Sequence, residues 1–309
     1  MEASAQTVEE LNRVGRRRTT ARNGQNAVAY GFMTPWLLGM LFLTAGSMLF
    51  TLYLSFTNYD LLSRPHFVGT SNFTQLFSDR NFWTSIRVTL IYVVASVPAR
   101  MVASLLVATL LSKQVRGIGI YRALIYLPSL IGGSVGASIG WKELFDQNGP
   151  IDSFLHLFGI QGPVWLGNPN TAIIVLVLLS VWQFGSEMVI FLAGLKQIPN
   201  YLYEAATIDG ANHFQRYIRI TLPMLSPIIF FNLLMGTISS FMVFTQVEVI
   251  TDGGPMNSTL FYVLYLYQQG FQYFHMGYAT AMAIVLLVIV ALCSGFIFLT
   301  SKFWVNYDV

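Results

Sequence analysis

Residues 204–223 read "EAATIDGANHFQRYIRITLP". Glu204, Asp209, Arg216 and Arg219 place charges in a segment whose flanks are almost wholly apolar. Asn200, after Pro199, is a candidate N-cap. Tyr201, Leu202, Ala205 and Ile208 fall at helical spacing on one side, which predicts a short helix from Tyr201 to about Asp209. Gly210 suits the C′ position, where positive φ is needed. Asn212 can cap a second helix carrying Arg216 and Arg219, and Leu222-Pro223 opens a new apolar run. The expectation is an exposed helix–turn–helix elbow. Its small apolar face has nothing in its own chain to bury against, a pattern that points to a protein partner.

The rest of the chain explains why such an elbow is out of place. Of 309 residues, 54% are hydrophobic and only 10% charged, and the mean hydropathy is +0.58. Soluble domains are about 25% charged, so the composition fits an all-α integral membrane protein. About 20 apolar residues cross a bilayer as a helix. By that measure six spans lie near 30–57, 87–111, 120–141, 171–194, 220–247 and 277–303. The shorter apolar piece 259–271 is expected to lie in the outer interface or to dip partway in.

Lys and Arg set the orientation. With the N-terminus inside, the inner side holds Arg13, Arg16, Arg17, Arg18, Arg22, Lys113, Arg116, Arg122, Lys196, Arg216, Arg219 and Lys302. The outer side holds Arg64, Arg80, Arg87 and Lys142, twelve against four. Both termini are therefore expected in the cytoplasm, with 1–27 a basic tail, 28–309 the transmembrane domain and 196–219 a cytoplasmic loop. Gly132, Gly136 and Gly140 are expected to stack on one face of the third span. Pro98, Pro223 and Pro227 mark bends.

Several chemistries are excluded. Cys293 is the single cysteine, and no HExxH or CxxC spacing occurs, so neither an internal disulfide nor a metal site is expected. No GxxxxGK[ST] loop is present, so this chain is not expected to hydrolyse ATP itself. "GASIG" at 136–140 matches GxSxG with Ser138 as nucleophile, but that motif needs a strand–turn–helix setting, and His275 is a poor partner at the membrane edge.

Glu204-Ala205-Ala206, Gly210, Ile220 and Leu222-Pro223 have the residues and spacing of the EAA loop of ABC importer permeases. "FVGTSNFTQLFSD", "YRALIYLPSLIGGSVGASIGWKELF", "GLKQIPNYLYEAA" and "TDGGPMNST" resemble the carbohydrate branch of that family. The resemblance covers nearly all the chain after about residue 28. It implies a type I ABC importer permease fold with six transmembrane helices and a cytoplasmic coupling helix. Glu204, Ala205, Ala206, Asp209, Gly210, Leu202 and Ile208 would then meet a separate ATPase. It also implies a second permease subunit, with a heterodimer favoured, two ATP-binding subunits that carry ATP and Mg, and an extracytoplasmic substrate-binding protein. The location implied is the bacterial plasma (inner) membrane. No cofactor on this chain and no nucleic acid are implied.

A sugar path needs aromatic platforms beside amides and acids. Candidates are Trp182, Gln183 and Glu187 in the fourth span, Asn232, Gln246 and Glu248 in the fifth, and Tyr262, Tyr265 and Gln268 near the outer mouth. Aromatics make up 15% of the chain and mostly pack or anchor at interfaces, which weighs against any single one. Arg100 and Glu187 are intramembrane charges at similar depth. They either pair and fix two helices, or Arg100 meets an acidic or hydroxyl-rich substrate, or it faces the partner permease. A di- or oligosaccharide is the expected cargo, with a sugar phosphate such as glycerol-3-phosphate as the alternative. An ion-coupled secondary carrier is the remaining rival.

Overall fold

The structure is a computed structural model that describes residues 31–113 and 117–306. The expected basic tail, 1–27, lies outside the described residues. The chain divides into two compact units, one ending at Leu54 and one beginning at Ser55. In the first, Gly31–Leu54 forms α1, 24 residues with a mean hydropathy of 1.9. At 1.5 Å per residue it is about 36 Å long, enough to cross the ~30 Å hydrocarbon layer. Phe32, Trp36, Leu43 and Leu49 are exposed along it, as a lipid-facing span requires.

The second unit begins with a two-residue hairpin, β1 (Thr57–Asn58) antiparallel to β2 (His66–Phe67). Helix α2 (Ser71–Ser78) follows, and its buried Asn72 donates to the carbonyls of Ser55 and Thr57, each at 2.9 Å. Asp79 then caps α3 (Arg80–Leu111), accepting from Asn81 N at 2.8 Å. Helix α3 is the centre of the unit. Its buried positions Phe82, Ser85, Thr89, Tyr92 and Ser96 recur at three- and four-residue steps. Small Ser85, Ser96, Ser104 and Ala108 let neighbours approach closely. Despite Pro98, α3 continues as one helix of 32 residues.

Besides its neighbour α2, four elements pack on α3. They are α7 (Pro169–Trp182), α8 (Gly185–Leu195), α11 (Ser226–Phe241) and a buried helix, α13 (Tyr262–Tyr267). The remaining helices of the bundle are α4 (Ile118–Ile131), α5 (Val135–Leu144), α6 (Pro150–His156), α9 (Asn200–Ile208), α10 (His213–Met224), α12 (Thr245–Ile250) and α14 (Met276–Ser301). Three helices are long and apolar enough to cross alone, α1, α3 and α14. Three bent pairs supply the rest, making six spans if each pair is one: α4 with α5 at 100°, α7 with α8 at 43°, and α10 with α11 at 64°.

The 64° turn falls between Pro223 and Pro227, where the sequence predicts a bend, and the break in the third span corrects the sequence reading. The third span is not one straight helix, so Gly132 does not share a face with Gly136 and Gly140. A Cβ on either of the latter two would meet nothing within 4 Å, so neither is a close-approach point here. Gly132 alone of the three is a close-approach point, with a Cβ 2.3 Å from Gln183 Cγ, and Gly185 is another, where a Cβ would lie 2.9 Å from Ile125 O and from Tyr126 Cα. The fifth span ends at Phe241, and Gln246 and Glu248 stand on the separate helix α12. The apolar piece near 259–271 is interior, with Tyr262 and Leu264 almost wholly buried. Tyr262 N donates to Thr89 Oγ1 at 2.9 Å and its hydroxyl to Met282 O at 2.8 Å.

Candidate functional site

The elbow is built from two capped ends. Asn200 is the first helical residue of α9, and Pro199, extended at ψ 135°, holds the N-cap position in its place. At the other end Ala211 N donates to Ala206 O at 2.9 Å and Gly210 N to Thr207 O at 3.1 Å. That pair of bonds is a Schellman closure, and Gly210 supplies it with φ +77°. Helix α10 opens on a capping box: Gln215 N donates to Asn212 Oδ1 at 2.8 Å, and Asn212 N to Gln215 Oε1 at 2.9 Å.

Two side-chain ties brace the elbow. Arg216 Nη1 donates to Thr207 Oγ1 at 2.8 Å, and the hydroxyls of Tyr203 and Thr221 lie 2.9 Å apart. No residue of α9 is buried. Tyr201 is 65% exposed and Ile208 88%. Glu204, Ala205, Asp209 and Gly210 are exposed beside them, with Leu202 and Ala206 half-covered.

Within the bundle Arg100 and Glu187 meet. Arg100 Nε donates to Glu187 Oε1 at 2.8 Å, joining α3 to α8, with both side chains largely covered. The pair alternative is therefore the observed one. Glu187 Oε2 is buried without a partner. Gly236 of α11 lies over the pair: a Cβ there would be 3.2 Å from Arg100 Nη2 and 3.3 Å from Glu187 Oε1. Arg100 also borders a cavity of about 30 Å³ with Tyr92, Ser180, Gln183 and Gln246. That space holds one or two waters, far less than a sugar.

The other candidates scatter. Trp182 packs against Trp141, with ring centroids 5.4 Å apart and planes tilted by 36°. Asn232 is buried in α11 with its Nδ2 unpartnered. Glu248 is half-covered on α12. Tyr262 and Tyr265 are core residues, and Tyr265 and Tyr278 both donate to Asp79 Oδ2. Sequence reading missed Tyr92, Ser180 and Gly236; for Gly236 the available signal was a lone glycine in an apolar span. Ser138 is buried and donates to Ser134 O at 3.0 Å, while His275 lies by Gln269 Oε1 at 3.1 Å, so the GxSxG match assembles no nucleophile and base. Among the described residues no three His, Cys, Asp or Glu side chains converge as metal ligands.

Broken spans around a central helix, with a bare elbow between the fourth and fifth, define a multi-pass α-helical membrane protein with the type I importer-permease fold. The chain belongs to the family described as binding-protein-dependent transport system inner membrane component, which matches residues 75–302. It is 50% identical over 287 residues to the probable ABC transporter permease protein YesP of Bacillus subtilis (strain 168), covering 92% of this chain and 93% of that one. It is 33% identical over 274 residues to the probable starch degradation products transport system permease protein AmyD of Thermoanaerobacterium thermosulfurigenes, covering 88% and 93%. A chain in the crystal structure of a bacterial ABC transporter involved in the import of the acidic polysaccharide alginate matches with a TM-score of 0.78. At 22% identity, over 92% of this chain and 98% of that one, the likeness is of fold.

Proposed function

We propose that this chain is one half of the translocation pathway of an ATP-driven carbohydrate importer. The observation that carries the reading is the elbow: a rigid, doubly capped helix presents Tyr201 and Ile208 bare beside Glu204 and Ala205. An exposed apolar patch of that kind marks a surface for a partner. Its occupant is a separate ATPase, which binds ATP and Mg, and two such subunits close against the permease pair. The second permease is a different chain, so the pore is a heterodimer. A substrate-binding protein delivers the solute from the extracytoplasmic side, and both termini lie in the cytoplasm of a bacterial cell. Carbohydrate as cargo is supported by AmyD, whose name gives starch degradation products.

A sugar phosphate is the second reading, and Arg100 on the cavity wall is the observation behind it. Glu187 already neutralises that guanidinium, so a neutral saccharide is preferred. The test is uptake by the complete transporter in vesicles, with Gly210→Pro and the Glu204→Lys/Ala206→Glu double variant beside wild type. Proline fixes φ near −65° where +77° is needed and removes the N–H that bonds Thr207 O. Both variants are expected to lose saccharide uptake and to release the ATPase in detergent pull-down. Full retention of the ATPase by both would count against the elbow as its docking point.

A further inference from the structure

Between α10 and α11 the backbone turns by 64° at Leu225. Proline chemistry loosens that joint. Pro227 has no N–H to give to Pro223 O, so a continuous helix would lack one rung there. Ser226 supplies a substitute from its side chain: its Oγ donates to Pro223 O at 2.6 Å. Ser226 is buried, and Leu225 beside it is fully enclosed. Gly194 of α8 lies flush against the joint, since a Cβ there would collide with Ile228 and crowd Leu225.

A segment remote in sequence meets this joint. After α14, Trp304 N donates to Ser301 O at 3.1 Å and Val305 N to the same oxygen at 2.8 Å. These bonds place Asn306, whose N–H donates to Ser226 Oγ at 2.9 Å. The Ser226 hydroxyl is thus one relay, accepting from Asn306 and donating to Pro223 O. With a lone pair taken by Asn306, its single hydrogen stays aimed at the carbonyl, and each bond polarises the other. One turn along α11, Phe230 packs edge-on against Phe298 of α14 and against Trp304, with centroids 5.0 Å and 6.2 Å away. Trp304 is half-covered there, whereas the neighbouring Phe303 is 80% exposed.

We propose that residues 302–306 are a strap that holds the α10–α11 hinge at its present angle and so restrains the elbow until the motor drives it. Swinging α10 against α11 has to break a link of the relay: Pro223 leaves Ser226, or Ser226 leaves Asn306. A displacement under about 1 Å is enough for either. A contact made in one hinge state and lost in the other shifts the balance by its own differential energy. The strap therefore raises the cost of leaving this state, and without it the elbow swings when no solute has been delivered. Asn306 and Trp304 act through Ser226 and Phe230, as positioning residues for the hinge. This inference rests on the elbow as the ATPase docking point.

The test is ATP turnover by the complete transporter in nanodiscs, with and without its binding protein. Asn306→Pro deletes the N–H and Trp304→Ala the ring. Each is expected to raise turnover without binding protein about fivefold, with the ATPase still retained in detergent pull-down. Asn306→Ala keeps the N–H and Trp304→Phe keeps a ring, so both are expected to match wild type. A second measurement needs no variant: amide hydrogen exchange at residues 302–306 of the wild-type complex, without nucleotide and after trapping with ATP and vanadate. Exchange at Asn306 is expected to be slow before trapping and faster after it. Unchanged turnover in Asn306→Pro and Trp304→Ala, or equal exchange at Asn306 in the two states, overturns the strap and leaves the elbow reading intact. A wild-type chain that retains no ATPase overturns the elbow reading and the strap with it.

Discussion

Arg100 carries a charge where a charge costs about 2.5–3.5 kcal/mol by insertion scales. Glu187 answers it at 2.8 Å, and the two side chains are only 16% and 13% exposed. Removing one partner from such a pair is far worse than removing both, because the survivor keeps its charge without compensation. Glu187→Leu is therefore expected to destabilise the permease by about 3–5 kcal/mol, and Arg100→Met with Glu187→Leu to recover most of that loss. Thermal unfolding in nanodiscs measures both, and uptake by the double variant separates the pair's roles. Full uptake makes it a clamp between α3 and α8, whereas lost uptake at restored stability puts it on the solute path. Gly236 gives an independent handle on the same place. Alanine there must displace two charged groups by a few tenths of an ångström, whereas valine has no room, so Gly236→Val is expected to cost about 1–3 kcal/mol and Gly236→Ala less.

Helix crossings make a second set of demands, and Gly185 is one point where the neighbours are backbone. Its neighbours at 2.9 Å are Ile125 O and Tyr126 Cα, backbone atoms that no rotamer change can move. Gly185→Ala is expected to push α4 from α8 and lower the unfolding temperature, while Gly140→Ala, with open space around it, leaves the temperature unchanged. The contrast shows what kind of information the sequence holds. The elbow was legible because its signals are local: Gly210 for a positive φ, Asn212 with Gln215 for a cap, Ile208 at helical spacing with no partner. The six apolar runs were legible for the same reason. The breaks at Gly132–Ser134, after Trp182 and after Phe241 were not, because a broken membrane helix survives only where neighbours re-satisfy its backbone, and those neighbours are remote in sequence. Asn200 misled because Pro199, extended and without a side-chain donor or acceptor, begins the helix by geometry alone. Arg100 and Glu187 were visible as expensive charges, but their pairing needed α3 and α8 to be placed side by side.

Across the whole molecule, elbow and ion pair belong to one mechanical line. Tyr203 and Arg216 tie the elbow to α10, the chain turns by 64° at Leu225, and α11 then carries Gly236 against Arg100 and Glu187. A displacement imposed on α9 therefore reaches the cavity wall through rigid pieces and a single bend, the kind of hinge that turns small shifts into alternate packings. Tyr203→Phe is the mildest cut in that line, since it removes one hydroxyl and its bond to Thr221 while the ring and the exposed Tyr201 and Ile208 stay in place. The expected outcome is normal ATPase binding with about threefold more ATP consumed per saccharide imported, the equivalent of roughly 0.7 kcal/mol of lost coupling. Simultaneous assay of phosphate release and uptake in vesicles gives that ratio directly. An unchanged ratio would mean that force enters α11 without passing through the Tyr203–Thr221 bond, leaving Arg216–Thr207 as the remaining tie to cut.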